Sequence, residues 1–166
     1  MMCYEIVKTS EVHFIEISKI HKNCFENSWS LNYLSNLMNN KINYGFTAKL
    51  KASTNKNENN DPNYIKADRC IGFVLFSMVH EYSEVLSLGI LENWRCYGIG
   101  SDLMQHVITS INRSGARRLV LEVAENNISA RKLYSGLGFI EVSQRVGYYK
   151  QSAGNVDAVI LEKKIR

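Results

Sequence analysis

The feature that most constrains this chain is a strand that runs through a glycine turn into a helix. Residues 84–91 are apolar and β-rich, the turn Arg95-Cys96-Tyr97-Gly98-Ile99-Gly100 follows, and Ile99, Leu103, Val107 and Ile111 then share one helical face. That commits the centre of the chain to a sheet with a helix packed on it. Gly98 and Gly100 let the backbone turn tightly and approach a ligand with no Cβ in the way. The open N–H groups at the helix start, with their partial positive charge, suit a phosphate. A Gly-x-Gly before a helix serves equally well to pack that helix, so the turn alone assigns no ligand. A dinucleotide-binding fingerprint is excluded, because Leu103 stands where a third glycine belongs and no βαβ unit precedes it. A Walker loop is excluded because no Gly-Lys-Ser/Thr follows.

The rest of the chain alternates around this centre. Tyr4-Glu5-Ile6-Val7-Lys8 reads as a first strand, and Val12, Ile15, Ile17, Ile20 and Phe25 recur at near-helical spacing. Ser30 caps a second helix carrying Leu31, Leu34, Leu37 and Met38. Residues 42–50 read as a strand. Residues 52–66 are polar and Asn-rich and hold the only proline, Pro62, so a flexible loop insertion is expected there. Segments 70–80 and 84–91, parted by His80-Glu81-Tyr82-Ser83, read as adjacent antiparallel strands. After the central helix, which ends near Gly115, come a fifth strand at 118–123, a short helix at 127–136 and closing strands at 139–144 and 156–162. The order β-α-α-β-β-β-α-β-α-β-β predicts one α/β domain of the α+β type over residues 1–166, a mixed sheet with helices on its faces.

Composition narrows the partners. Among 166 residues, 45% are hydrophobic and 22% charged, as in soluble globular proteins. The longest apolar runs are strand-length, far below the roughly 20 residues that span a bilayer. No secretory signal is visible at Met1-Met2-Cys3-Tyr4-Glu5, so a cytoplasmic protein without a membrane partner is expected. Cys3, Cys24, Cys70 and Cys96 form no CxxC or CxxH pair, which suggests reduced, mostly buried thiols and no metal. The net charge of +4 is mild, and Arg113, Arg117, Arg118 and the basic end read as solvated surface, so no direct nucleic-acid contact is expected.

Glu122 sits inside the apolar strand Leu119-Val120-Leu121-Glu122-Val123, where a carboxylate is costly unless it is paired, solvated or functional. Val120, Glu122 and Ala124 lying on a partly open face is the plainer explanation. Asn127, Arg131 and Tyr134 fall on one helical face, where Tyr134 is ordinarily a packing residue with its hydroxyl toward water. His106 reads as helix surface and His80 as a strand end. Cys96 lacks the partners of a nucleophile.

Taken together, these residues resemble the GCN5-related N-acetyltransferases. The turn fits the family's Gln/Arg-x-x-Gly-x-Gly/Ala signature. The run Leu121-Glu122-Val123, Asn127, Ala130, Leu133-Tyr134, Gly138-Phe139 fits the same superfamily. Arg145-x-x-Tyr148-Tyr149, Asp157-Ala158-Val159-Ile160-Leu161 and Phe25 with Trp29-Ser30 look like the ribosomal-protein alanine N-acetyltransferases. The resemblance covers nearly the whole chain apart from 52–66.

It implies a mostly antiparallel sheet splayed between the fourth and fifth strands, with acetyl-coenzyme A as cosubstrate. Backbone groups of Leu88, Gly89 and Ile90 would hold the pantetheine arm, and Arg95, Cys96, Tyr97, Gly98, Ile99, Gly100 and Ser101 the pyrophosphate. Asn127 would contact the cofactor, Glu122 would be the general base and Tyr134 the general acid. Trp29, Tyr148 and Tyr149 would face the acceptor, although Tyr148 and Tyr149 could equally pack on the last hairpin. Cys96 departs from the pattern, where a basic residue is usual, which removes one expected phosphate contact while Arg95 and the backbone amides remain. The chemistry fits these types: a thioester is already activated, and about a tenth of an α-amine with pKa near 8 is neutral at pH 7. The implied acceptor is a protein N-terminus, an alanine of a small-subunit ribosomal protein, and the implied state a monomer or weak dimer. Two alternatives stay open: transfer to a lysine, polyamine or other small amine, and a non-catalytic acyl-coenzyme A-binding module.

Overall fold

The computed structural model describes residues 4–51, 69–152 and 154–165; the loop expected at 52–66 lies outside them. The strands are β1 (Tyr4–Lys8), β2 (Asn43–Leu50), β3 (Cys70–Val79), β4 (Tyr82–Ile90), β5 (Arg118–Ala124), β6 (Ile140–Gln151) and β7 (Gly154–Lys164). The helices are α1 (Phe14–Cys24), α2 (Leu31–Met38), α3 (Ile99–Arg113) and α4 (Ile128–Gly136). They follow the order read from the sequence. The sheet runs β1-β2-β3-β4-β5-β7-β6, and every neighbouring pair is antiparallel except β4 with β5.

That one parallel pair is short. It spans Tyr82↔Arg118 to Val85↔Leu121, after which β4 continues to Ile90 and β5 to Ala124 without each other. The expected splay is therefore present, and residues 86–90 of β4 keep one backbone edge unpaired with β5. On the opposite side β3 covers β4 throughout, with a bulge where Leu75 pairs with Ser87 but Phe76 with Val85. Leu86 is the extra residue.

Two cores flank the sheet. On one face Ile99, Leu103, Met104, Val107 and Ile111 of α3 pack with Val74, Phe76, Val85, Leu119 and Leu121. On the other, Phe14, Ile17, Ile20 and Leu34 of α1 and α2 cover Phe73 and Leu75. Burying side chains of this size stabilises by about 1.5–3 kcal/mol each.

Three sequence expectations shift. The α1 stripe is Phe14, Ile17, Ile20 and His21, while Val12 and Ile15 are exposed. The cause is a 3-10 turn at Glu11–His13, set by reciprocal capping between Ser10 and His13, which rotates the helix phase. The β3–β4 hairpin turns in only His80-Glu81, with His80 at φ 52, as tight hairpin turns require. The closing strands are longer than expected because Gly147, at φ 60, absorbs a bulge between Arg145 and Tyr149, so the strand continues beyond it.

Candidate active site

The splay opens a cavity of about 670 Å³ that passes through the sheet. Ala130 and Tyr134 of α4 line it from one face, His21, Cys24 and Trp29 from the other, and β4 and β5 form its sides. Glu122 enters from β5 immediately past the last pairing with β4, half-buried. Arg145 Nη1 lies 3.1 Å from its Oε1, so the carboxylate is paired in place.

Tyr134 is buried, edge-on to Phe139 with ring centroids 5.7 Å apart. Burial, and then Tyr149, push its phenol well above the usual tyrosine range, so the hydroxyl stays protonated at working pH. Tyr149 also lines the cavity and is pushed up to about 12, first by burial, then by Glu122 and Tyr148, with Arg145 opposing. Tyr148 points away, half exposed, with the Arg145 guanidinium 5.3 Å from its ring. Of the two tyrosines, one reaches the cavity and the other packs on the hairpin.

Asn127 lines the cavity and caps α4, its Oδ1 accepting from Ala130 N at 3.1 Å. Arg131 does not join it: its guanidinium sits 3.3 Å from Glu141 and donates to the Glu125 carbonyl. The helical face toward the cavity is Asn127, Ala130 and Tyr134.

Beside the splay, Cys96 (φ 65) and Gly98 (φ 85) turn the chain into α3. The first intrahelical donor is Asp102 N, bonded to Gly98 O, so the N–H groups of Ile99, Gly100 and Ser101 stand open at the helix start. The positive end of a 15-residue helix thus faces whatever lies over the turn. Gly100 is close-packed, since a Cβ there would sit 3.2 Å from Leu133 Cδ2. Tyr97 is exposed. Cys96 is exposed as well, against the expectation of mostly buried thiols, because the turn carries its side chain outward; Cys70 is buried and Cys24 half-buried. Arg95 folds back, Nε donating to the Ile90 carbonyl at 3.1 Å. The side chains of Leu88 and Ile90 pack on the α3 core, which leaves their backbone at the splay, and Gly89 lies under Phe73 and Cys24.

Trp29 also lines the cavity, stacked on His21 with centroids 4.6 Å apart. No sequence signal singles out His21. Its Nδ1 accepts the Trp29 N–H at 3.1 Å, and burial pushes its pKa down to about 4, so the ring is neutral. Glu84 is a second carboxylate on the face of Glu122: it pairs with Val120, and Glu122 lies two residues on. Burial first, then Glu122, raise the Glu84 pKa, while Arg145 opposes them. Glu26 accepts from Ser152 N at 3.3 Å and from Ser152 Oγ at 3.1 Å, which clasps the β6–β7 turn to the α1–α2 loop across the cavity. Arg145 stood in a recognised motif, but no signal assigned it a partner. Glu84, Ser87 and Glu26 carry no local pattern at all. His106 is exposed on α3, its Nδ1 2.8 Å from the Asp102 carbonyl. Among the described residues no helix is long and apolar enough to cross a membrane, and no group of three His, Cys, Asp or Glu is gathered.

Comparisons with known proteins agree on the fold. The model of the acetyltransferase (GNAT) family matches residues 15–139. Two curated relatives are [Ribosomal protein bS18]-alanine N-acetyltransferases. That of Salmonella typhimurium is 31% identical over 94 residues, covering 57% of this chain and 64% of the relative. That of Haemophilus influenzae is 36% identical over 98 residues, covering 58% and 66%. The chain thus spans slightly under two thirds of the length of these two relatives. Among solved structures, the ribosomal-protein-S18-alanine N-acetyltransferase of Escherichia coli superposes with a TM-score of 0.82 at 20% identity, over 98% of this chain and 94% of that one. Arabidopsis thaliana NAA60 with a bisubstrate analogue gives 0.77 at 19% identity, over 100% and 99%.

Proposed function

Because the chain belongs to the GNAT acetyltransferase family, we propose that it moves the acetyl group of acetyl-coenzyme A to a protein N-terminal amine, that of an alanine on a small-subunit ribosomal protein. The observation that carries this reading is the meeting of Glu122, Tyr134 and the unpaired edge of β4 in one through-sheet cavity. The residues present fit the cosubstrate. The edge at Leu88, Gly89 and Ile90, unpaired with β5, can add a strand-like arm once Arg95 gives up the Ile90 carbonyl, and the open amides of Ile99, Gly100 and Ser101 suit a pyrophosphate without a basic side chain at position 96. Asn127 lines the same cavity, and Tyr97 stands exposed in the turn. When bound, the thioester supplies an activated acyl carbon.

Each reacting group then has one task. Glu122, held by Arg145, takes a proton from the amine as its nitrogen bonds to the acyl carbon. Tyr134 offers its retained proton to the departing sulfur as the C–S bond breaks. Backbone N–H groups on the free β4 edge hydrogen-bond the developing oxyanion. Trp29 and Tyr149 bound the acceptor side. The Glu26–Ser152 clasp roofs it, which favours a chain end threading in over a lysine side chain on a folded surface. Expected from intact-mass analysis of small-subunit ribosomal proteins treated with enzyme and acetyl-coenzyme A is one protein gaining a single acetyl group at its first residue. Acetylation only at lysines, or only of free small amines, overturns the reading.

A further inference from the structure

Ser87 stands out once the β4 bulge is traced residue by residue. Val85 belongs to the α3-side core, so strict alternation would turn residue 87 toward α3 as well. The extra residue at Leu86 reverses this. Ser87 pairs with Leu75, which packs under α1 and α2, and so shares the face of Glu122. Bulges next to active sites re-aim side chains in this way. The re-aimed side chain is a serine that is 9% exposed, lines the cavity, and has an Oγ with no hydrogen-bond partner among the described residues. An orphaned buried hydroxyl costs stability, and this one borders the cavity, so a group entering there can become its partner.

Resting on the N-acetyltransferase reading, we propose that Ser87 Oγ receives an N–H of the acceptor amine and positions its lone pair toward the thioester carbon. Glu122 on β5 and Ser87 on β4 stand on the two sides of the splay and on one face of it. A neutral primary amine has two N–H groups: with one given to Glu122 and the other to Ser87, its lone pair points between the strands. The hydroxyl is closed off from solvent, and a turn about χ1 between staggered positions would bring it to the amine.

Ser83 provides the internal control. It lies on the same strand, is fully buried, and its Oγ is also unpartnered among the described residues. However, it pairs with Leu119 in the α3-side core and does not line the cavity. Ser87→Ala and Ser83→Ala should each leave thermal stability equal or higher, since each removes an orphan. Only Ser87→Ala should lower kcat/KM toward an N-terminal peptide, by roughly tenfold, the worth of one hydrogen bond to an amine at about 1.4 kcal/mol per decade. Its dissociation constant for acetyl-coenzyme A should be unchanged, and Ser87→Thr, which keeps the hydroxyl, should recover most of the rate. If wild type acetylates the peptide and Ser87→Ala does so equally well, the Ser87 contact is refuted and the N-acetyltransferase reading stands. If Ser83→Ala loses as much rate as Ser87→Ala, the effect belongs to the strand and the contact is again refuted. If wild type acetylates no peptide N-terminus, the reading falls and the contact with it.

Discussion

Lowering the pH should destabilise this protein through His21. Its Nδ1 accepts the Trp29 N–H at 3.1 Å, and its ring is packed against Phe25 and Trp29 at centroid distances of 4.4 and 4.6 Å. Burial holds the folded pKa near 4, whereas the unfolded imidazole titrates at about 6.5. The folded pKa is the depressed one, so above pH 6.5 neither state binds the proton and His21 has no effect on stability. Between 6.5 and 4 the unfolded state binds more protons, and stability falls as pH falls. At pH 5 an ordinary histidine is roughly 97% charged and the buried one roughly a tenth, a difference worth about 2 kcal/mol. His21→Asn keeps an acceptor for the Trp29 N–H and removes the titration. In urea unfolding monitored by Trp fluorescence, wild type should lose about 2 kcal/mol more than His21→Asn between pH 8 and pH 5, roughly 1 M in midpoint at an m-value near 2 kcal/mol/M. Equal losses in the two proteins would show that the buried imidazole accepts its proton without cost, and the desolvation argument would be wrong.

The site makes further predictions. Glu122→Gln should lower kcat/KM toward an N-terminal peptide by about 100-fold or more, the scale of a lost general base, and Tyr134→Phe by roughly tenfold, with acetyl-coenzyme A affinity by calorimetry unchanged in both. Wild-type turnover with unaltered rates in both variants would remove their assigned roles. Gly98→Ala meets no atom within 4 Å, so its cost is the backbone strain at φ 85 alone, about 1–2 kcal/mol, read as a melting temperature lower by about 2–8 °C. Glu26→Ala releases the clasp on Ser152, and the ratio of lysine to N-terminal acetylation by mass spectrometry should rise; an unchanged ratio means that the clasp does not select the acceptor.

Much of this was legible in the sequence, and the boundary has physical causes. Local patterns carry local structure: Ser30 and Asn127 announce helix starts, and Gly98 announces the turn into α3. The central helix face of Ile99, Leu103, Val107 and Ile111 is buried as its spacing requires. The roles proposed for Glu122 and Tyr134 come from a resemblance that joins residues which local rules call a half-open strand face and a packing aromatic. What stayed hidden depends on non-local pairing. Ser87 faces the cavity because of a bulge against β3, Glu84 neighbours Glu122 because of the parallel register, and Glu26 meets Ser152 across 126 positions of chain. The α1 phase was lost to a capping turn only one winding long.

The short parallel seam has a mechanical meaning beyond the cavity it opens. Strands β1 to β4 and strands β5, β7 and β6 are two half-sheets stitched together by the short ladder from Tyr82↔Arg118 to Val85↔Leu121 and, just before it, by the Glu81 carbonyl accepting from the Arg117 and Arg118 N–H groups. Beyond those stitches, the backbone of residues 86–90 of β4 has no β5 neighbour, and a molecule lying along it takes the place of a missing strand. Such an occupant is mortar as much as reagent. It would join the halves, so amide exchange along that edge should slow when acetyl-coenzyme A is added and recover when it is removed.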